Sequence, residues 1–340
     1  MNKWLAIPEE TRRGAYIEIG ENTGMAPFAV EKDWWVVQIL SVIFEMDAAM
    51  HLVFKGGTSL SKAWKLIERF SEDIDLAIDR SFFGFTGELG KSQRDKLRKK
   101  SGKYIDEVFF PELKKRFEAK GFTNMNWELE VEKESDKDRK INLYYPNVIV
   151  SPGYLQPRVQ IEISCRSLRE PFSLQTFGSL VDENYPDADF AQPPINIPTV
   201  NPERTFLEKI FLLHEEFQRP KEKMRIDRLS RHLYDVVKLS NTEFAEKALS
   251  NQELYETIVE HHQKFTRIGG VNYNLHQPQT INPIPLPEII EAWRVDYNIM
   301  IEQMIYEVDP PSFDQIILEL TELKDKFNSL KWKFSKEYPC

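Results

Sequence analysis

The hydrophobic positions near the start of the chain change period within fifty residues. Over residues 28–44, Val30, Trp34, Val37, Leu40 and Phe44 recur at spacings of three and four, which is the stripe of a helix. Val36, Ile39 and Ile43 widen that stripe, so the helix is predicted to be well buried. Residues 51–55 carry the continuous apolar run Leu52-Val53-Phe54, a short strand that Gly56 and Gly57 break. Thr58 stands where a helix cap belongs, and a helix is predicted over 59–69 with Leu60, Trp64 and Ile67 inward. Residues 73–79 then alternate strictly. Ile74, Leu76 and Ile78 lie on one face and Asp73, Asp75, Ala77 and Asp79 on the other, the pattern of a strand with one buried side.

Further along, 92–120 reads as a charged helical excursion, and strands are predicted at 127–132, 141–145 and 158–164. In the last of these Val159, Ile161 and Ile163 oppose Gln160, Glu162 and Ser164. Residues 172–202 are rich in proline and poor in period, and read as a long connection. Beyond them 202–217, 225–239, 243–249, 252–265, 288–306 and 313–334 all read as helices, with a polar, proline-containing loop at 269–287. The prediction is an α+β first domain over 1–200 and an all-helical second domain over 201–340.

Composition adds few constraints. With 41% hydrophobic and 29% charged residues the chain is an ordinary globular one. No apolar run approaches the roughly 20 residues of a membrane span, and residues 1–13 lack the apolar core of a signal peptide. The two cysteines, Cys165 and Cys340, have no metal-ligand spacing and fit a reducing, cytoplasmic setting. The formal net charge of -9 argues against indiscriminate nucleic-acid binding but leaves room for a local basic groove. Two stretches offer one. Lys91, Arg94, Lys96, Arg98, Lys99, Lys100 and Lys103 are opposed by Asp95; Arg219, Lys221, Lys223, Arg225, Arg228 and Arg231 are opposed by Glu222 and Asp227. The second is the better candidate because it leads into the helix that carries Asp235; for either, the plainer reading is a solvated face.

The candidate chemistry is concentrated in Lys55-Gly56-Gly57-Thr58-Ser59-Leu60 and, after it, Arg69-Phe70-Ser71-Glu72-Asp73-Ile74-Asp75-Leu76. A strand ending in two glycines lets backbone approach a ligand closely, and a helix starting there aims its free N–H groups at an anion. Two carboxylates at i and i+2 on a strand share a face, and such a pair calls for a cation; Mg²⁺ suits oxygen donors beside phosphates. Lys55 and Lys62 flank the turn and either is placed to touch phosphate, but neither belongs to a Walker loop. The six histidines lack metal spacing, and the run EKDWW at 31–35 reads as packing.

The stretch "FKGGTSLSKAWKLIERFSEDIDLAID" resembles the DNA polymerase β-like nucleotidyltransferase superfamily, and within it the AbiEii/AbiGii-type toxin family. The resemblance implies a nucleotidyltransferase-type mixed sheet with helices, followed by a helical domain that completes the active site. It implies that Asp73 and Asp75 hold Mg²⁺ and that Gly56, Gly57, Thr58, Ser59 and Ser71 line the nucleotide site. From "NPERTFLEKIFLLH" it offers Lys209 as a grip on the triphosphate, and from "RLSRHLYDVVKL" it offers Asp235. Asp235 either activates the acceptor or orients Lys209, while its plainer reading is an ion pair with Arg231. Across the wider superfamily a third metal carboxylate sits on a neighbouring strand, and Glu162 is the candidate. The implied reaction moves a nucleoside monophosphate from an NTP to an acceptor, RNA with the tRNA 3′ end leading. The implied setting is a toxin–antitoxin or phage-defence system with a cognate antitoxin. Kinase-like phosphoryl transfer to a protein hydroxyl and a non-catalytic nucleotide- or RNA-binding module are the alternatives.

Overall fold

Period-two alternation turns directly into sheet. The structure, a computed structural model, describes residues 2–71, 73–131, 139–150, 157–334 and 336–338. Its elements divide between two compact units, Met1–Trp64 with Phe70–Val200, and Lys65–Arg69 with Asn201–Cys340. The architecture is α+β.

The first unit opens with α1 (Glu9–Thr23) and α2 (Pro27–Ile43), followed by β1 (Leu52–Lys55) and a three-residue helix α3 (Gly56–Thr58). Then come β2 (Asp73–Ile78), α4 (Lys91–Tyr104), α5 (Phe110–Ala119), β3 (Asn126–Val131), β4 (Arg139–Tyr144) and β5 (Arg158–Ser164). It closes with β6 (Phe172–Phe177), α6 (Leu180–Asn184) and β7 (Ile195–Val200). The seven strands form one mixed sheet in the order β3-β4-β5-β2-β1-β7-β6. At its centre β1 runs antiparallel to β2 and β2 parallel to β5. The strand predicted at 127–132 ends in the structure at Val131; Glu132, like Cys340, lies outside the described residues.

The apolar face predicted for β2 and β5 is the buried one. Ile74, Leu76, Val159 and Ile161 have no exposed surface, and Ile141 and Leu143 of β4 join them. Each such side chain contributes about 1.5–3 kcal/mol by leaving water. Helix α2 packs on β5 and α5, and carries Trp34 and Trp35 into an aromatic cluster. Trp35 stacks on Tyr145 at 5.2 Å and meets Phe122 at 5.8 Å.

Three expectations need correction here. The connection at 172–202 contains β6, α6 and β7. β6 is an edge strand in which only Phe177 is buried, so no apolar alternation marks it, and β7 carries Pro198 within the strand. The helix predicted over 59–69 lasts only to Ala63, its last turn of π type. Lys65 adopts a φ of 53°, which ends it, and the Trp64 indole N–H donates to the Val200 carbonyl at 3.0 Å. Helix α1 went unread because few of its residues are apolar; Tyr16 and Ile19 anchor it, Tyr16 accepting from the Trp4 indole at 2.8 Å.

The second unit holds α7 (Pro202–Glu216), α8 (Arg231–Ser240), α9 (Glu243–Ser250), α10 (Gln252–Phe265), α11 (Ile290–Met304) and α12 (Phe313–Asn328). Helix α7 packs against α8, α9 and α10, and α8 against α12. Helix α8 starts six residues later than the 225–239 prediction. The carboxylate of buried Glu216 takes the backbone N–H and the guanidinium of Arg225, and Arg228 has a φ of 59°. Helix α12 stops at Asn328, short of the predicted 334.

The second unit also buries a histidine cluster that sequence spacing did not reveal. Glu215 Oε1 lies 2.8 Å from His262 Nδ1 and 3.1 Å from His276 Nε2. His214, beside His276, donates through Nε2 to the Leu275 carbonyl and accepts the Asn282 N–H at Nδ1. That pairing needs a neutral ring. Burial, with His276 adjacent, pushes the His214 pKa down to about 3. A base depressed in the folded state binds its proton only on unfolding, so its contribution weakens as pH falls from about 6.5 toward 3. The slope is at most about 1.4 kcal/mol per pH unit. His276, also lowered, acts in the same sense. His262, raised through Glu215 against its own burial, acts in the opposite sense above its ordinary value. Glu215, held at about 2, loses its contribution only as pH falls from about 4.5 toward 2. Urea titrations between pH 6 and 4 are expected to show a shallower decline in His214→Gln than in the wild type. An identical slope would remove His214 from the account.

Candidate active site

β1 delivers its last residue, Lys55, in register with Asp75 of the antiparallel neighbour β2. The chain must then turn sharply, and Gly56 does so at a φ of 82°, where a side chain is strained. Space forbids one as well. A Cβ built on Gly56 would stand 2.1 Å from Asp75 Oδ2. The first glycine of the motif therefore presses its backbone against the second aspartate. This close approach was legible in the sequence only as a general property of glycine.

Asp73 and Asp75 lie on the same half-buried face of β2, as alternation predicted. Across the parallel ladder Asp73 pairs with Gln160 and Asp75 with Glu162. Glu162 thus lies beside the acidic pair, but its Oε1 accepts from Gln160 Nε2 at 2.7 Å and sits 2.9 Å from Lys140 Nζ. Among the described residues no three carboxylate, imidazole or thiol groups come together as a metal cluster. The carboxylate pair is what β2 presents, and its all-oxygen donor set fits a hard divalent cation such as Mg²⁺.

The turn's hydroxyls bond within the turn. Thr58 Oγ1 donates to the Asp73 carbonyl at 2.5 Å and lies 3.0 Å from Ser71 Oγ. Ser59 is fully buried and its hydroxyl donates to the Gly56 carbonyl at 2.9 Å. These side chains tie the glycine turn to β2 and to itself. α3 runs directly into the π-type turn Ser59–Ala63, so one helical segment starts at the glycines, and what its start offers is glycine backbone beside Asp75.

Lys62 does not reach toward that backbone. Its ammonium is buried against Asp33 at 2.8 Å, and the same carboxylate accepts the Leu180 N–H at 2.7 Å. This gives the EKDWW run more than packing. Glu31 accepts from the backbone N–H groups of Val148 and Ile149, at 2.8 and 3.0 Å. The Lys32 ammonium sits 5.9 Å from the Phe70 ring centre. Asp33 latches the segment that follows the glycines. Sequence alone shows three charges and two tryptophans; their partners lie at separations that leave no periodic signal.

In the second unit Lys209 and Asp235 meet, in a network that includes a residue to which the sequence assigned no role. Arg69 grips Asp235 with two bonds, Nε to Oδ1 at 2.6 Å and Nη2 to Oδ2 at 2.7 Å. Lys209 Nζ lies 2.8 Å from Asp235 Oδ2 and 3.3 Å from His232 Nδ1. The intrahelical ion pair with Arg231, the plainer reading of Asp235, gives way to this network. Burial alone would raise the Asp235 carboxyl, but Arg69 and Lys209 hold it well below the usual range. Burial lowers Lys209, with Asp235 opposing, and burial with Lys209 adjacent keeps His232 neutral. Asp235 has no exposed surface and both its oxygens face cations. The geometry thus sets Asp235 at the centre of a buried ion-pair network with Arg69 and Lys209.

A sequence profile described as "Nucleotidyl transferase AbiEii toxin, Type IV TA system" matches residues 38–318, well over half of the chain. Comparison with curated proteins gives no match. Among solved structures, JHP933 from Helicobacter pylori is similar over 86% of this chain and 89% of its own, at 13% identity and a TM-score of 0.38. A structure titled as a putative nucleotidyltransferase from H. pylori is similar over 86% and 92%, at 13% identity and 0.37. Likeness at that level carries no weight here. Among the described residues no helix is long and apolar enough to cross a membrane.

Proposed function

The chain belongs to the AbiEii nucleotidyl transferase toxin family, and from that membership we propose a Mg²⁺-dependent transfer of a nucleoside monophosphate from an NTP to an acceptor hydroxyl. The acceptor in this reading is RNA, with the 3′ end of tRNA first. One observation carries it: Asp73 and Asp75 side by side on β2, with the Gly56 backbone pressed against the Asp75 carboxylate.

Asp73 and Asp75 are the residues that would hold Mg²⁺. Bound there, the cation neutralises triphosphate charge and makes the α-phosphorus more open to attack. The chain's own contribution is placement. Gly56, having no Cβ, lets the Asp75 carboxylate lie against the backbone of the turn, the approach that brings the glycines beside the acidic pair. Thr58 and Ser71 lock the turn to β2, and Asp33 with Lys62 holds the following segment, so the approach is preformed. An acceptor oxygen attacks the α-phosphorus in line and pyrophosphate leaves, a reaction that asks mainly for positioning and charge neutralisation. Glu162 acts in this account as the partner of Lys140 on the same sheet face. A grip of Lys209 on the triphosphate rests on the family resemblance, with Asp235 and Arg69 fixing the ammonium. The family description, a type IV toxin–antitoxin system, supports a toxin with a cognate antitoxin as partner.

The test is incubation with each labelled NTP, Mg²⁺ and total cellular RNA, followed by gel separation and pyrophosphate assay. Label in RNA with an equal yield of pyrophosphate is the expected result. Release of NDP with label in protein would replace this reading by kinase-like phosphoryl transfer, and neither product would leave a binding module.

A further inference from the structure

A dense positive patch on this acidic chain lies on α4, outside the site described above. Helix Lys91–Tyr104 carries Lys91, Arg94, Lys96, Arg98, Lys99, Lys100 and Lys103 against Asp95, while the whole chain is formally -9. Helical spacing sorts these charges. Lys96, Lys99, Lys100 and Lys103 stand at i, i+3, i+4 and i+7, so they share one face, and all four are exposed. Ser92 and Lys96, four apart, continue that face toward the start of the helix. Leu97 and Ser101 turn the other way and are buried. At a rise of about 1.5 Å per residue the lysines span about 10 Å of helix, the axial length of about three phosphates on one strand of a duplex.

Local stability does not account for this arrangement. Like charges at i, i+3 and i+4 repel. The first turn carries Lys91 and no acid, the reverse of what the helix dipole favours. Among the described residues, compensation of the four lysines is slight. Lys103 has Glu107 at 3.7 Å, both side chains mostly in solvent, and Lys100 donates to the Phe83 carbonyl, which leaves its charge unbalanced. The other basic stretch, preferred on sequence grounds, behaves differently. Arg219 and Arg225 both bind the buried Glu216 carboxylate, and the chain there forms no continuous helical face. The structure thus moves the candidate from 219–231 to α4.

We propose that the lysine face of α4 is a docking surface for the phosphodiester backbone of a polynucleotide. Identifying that polynucleotide as the acceptor rests on the function proposed above; the docking itself does not. The chemistry of the face separates this partner from others. Between Ser92 and Lys103 the face presents ammonium and hydroxyl groups, with the Asp95 carboxylate at its edge and no apolar or aromatic side chain. Protein interfaces are enriched in aromatics, Met and Arg and depleted in Lys. A membrane surface helix needs an apolar face to insert. Phosphate backbones are met by lysines without regard to base sequence, with release of counterions.

The experiment titrates the full chain with unfractionated tRNA at several salt concentrations, using wild type, the quadruple variant K96Q/K99Q/K100Q/K103Q and its arginine counterpart K96R/K99R/K100R/K103R. Four phosphate contacts at about 0.7–0.9 each make the slope of log K against log salt shallower by about 3 in the glutamine variant. Between 50 and 200 mM salt the wild type then loses about sixtyfold more affinity than the variant. The arginine variant is expected to bind like wild type, and melting curves of all three to coincide. Unchanged affinity and slope in the glutamine variant would overturn the proposal. So would loss of binding to polyglutamate with tRNA binding intact, which assigns the face to an acidic protein. Asp73→Asn keeps this readout separate from transfer. It is expected to bind tRNA with the wild-type slope, and wild-type chain that binds tRNA through α4 yet labels no RNA would refute the transfer reading alone.

Discussion

Asp73→Asn and Asp75→Asn each reduce nucleotide transfer by about a thousandfold or more, while the melting temperature stays within a few degrees of wild type. The two halves of that expectation have separate causes. Asparagine keeps the shape of each side chain on the half-buried face of β2 and removes the charge that would hold Mg²⁺ beside the triphosphate. Folding loses little, because two carboxylates at i and i+2 repel each other and either substitution relieves that repulsion. Single-turnover labelling with melting curves on the same samples measures both. Wild-type transfer by the two variants would end the metal-pair mechanism, however the rest of the chain behaves.

Asp235→Ala has the opposite profile, a loss of fold before any question of chemistry. It leaves Arg69 and Lys209 buried without their shared carboxylate, and an uncompensated buried charge costs about 3–5 kcal/mol. Urea unfolding of the alanine variant should show that loss, and a change under about 0.5 kcal/mol would mean that solvent or another group replaces the carboxylate. Inactivity of an Asp235 variant is therefore no evidence for a catalytic role. Lys209→Ala is the informative companion, since the two-bond Arg69–Asp235 pair survives it. With that fold intact, a raised KM for NTP and a lowered kcat would assign Lys209 to the triphosphate. Unchanged kinetics would assign it to the buried network.

What was legible beforehand follows from the range of the interactions. The buried faces of β2 and β5 and the acidic pair repeat every second residue, and six residues display the pattern. The long amphipathic helices show in the same way. Residue pairs such as Arg69 with Asp235, separated by 166 positions, leave no trace in a local window. Asp33 with Lys62 is hidden likewise, and so were the roles of Glu31 and Lys32. β7 escaped because Pro198 sits inside it, and β6 because an edge strand need not be apolar on either face. Thr58, Ser59 and Ser71 illustrate a different limit. Their residue types suit phosphate binding and turn closure equally, and only geometry shows their hydroxyls turned inward.

The five residues from Lys65 to Arg69 belong with the helical unit, although the chain on both sides of them belongs with the sheet. This affects how the gene can be cut and recombined. A fragment beginning at Asn201 carries Asp235 and Lys209 but not Arg69, and so starts with half of its buried ion pairing missing. A chimera joined at position 200 takes the arginine from one parent and the aspartate from the other. Such hybrids are expected to lose stability unless both parents carry that pair, so position 200 is a poor place to join two chains although each unit has its own core.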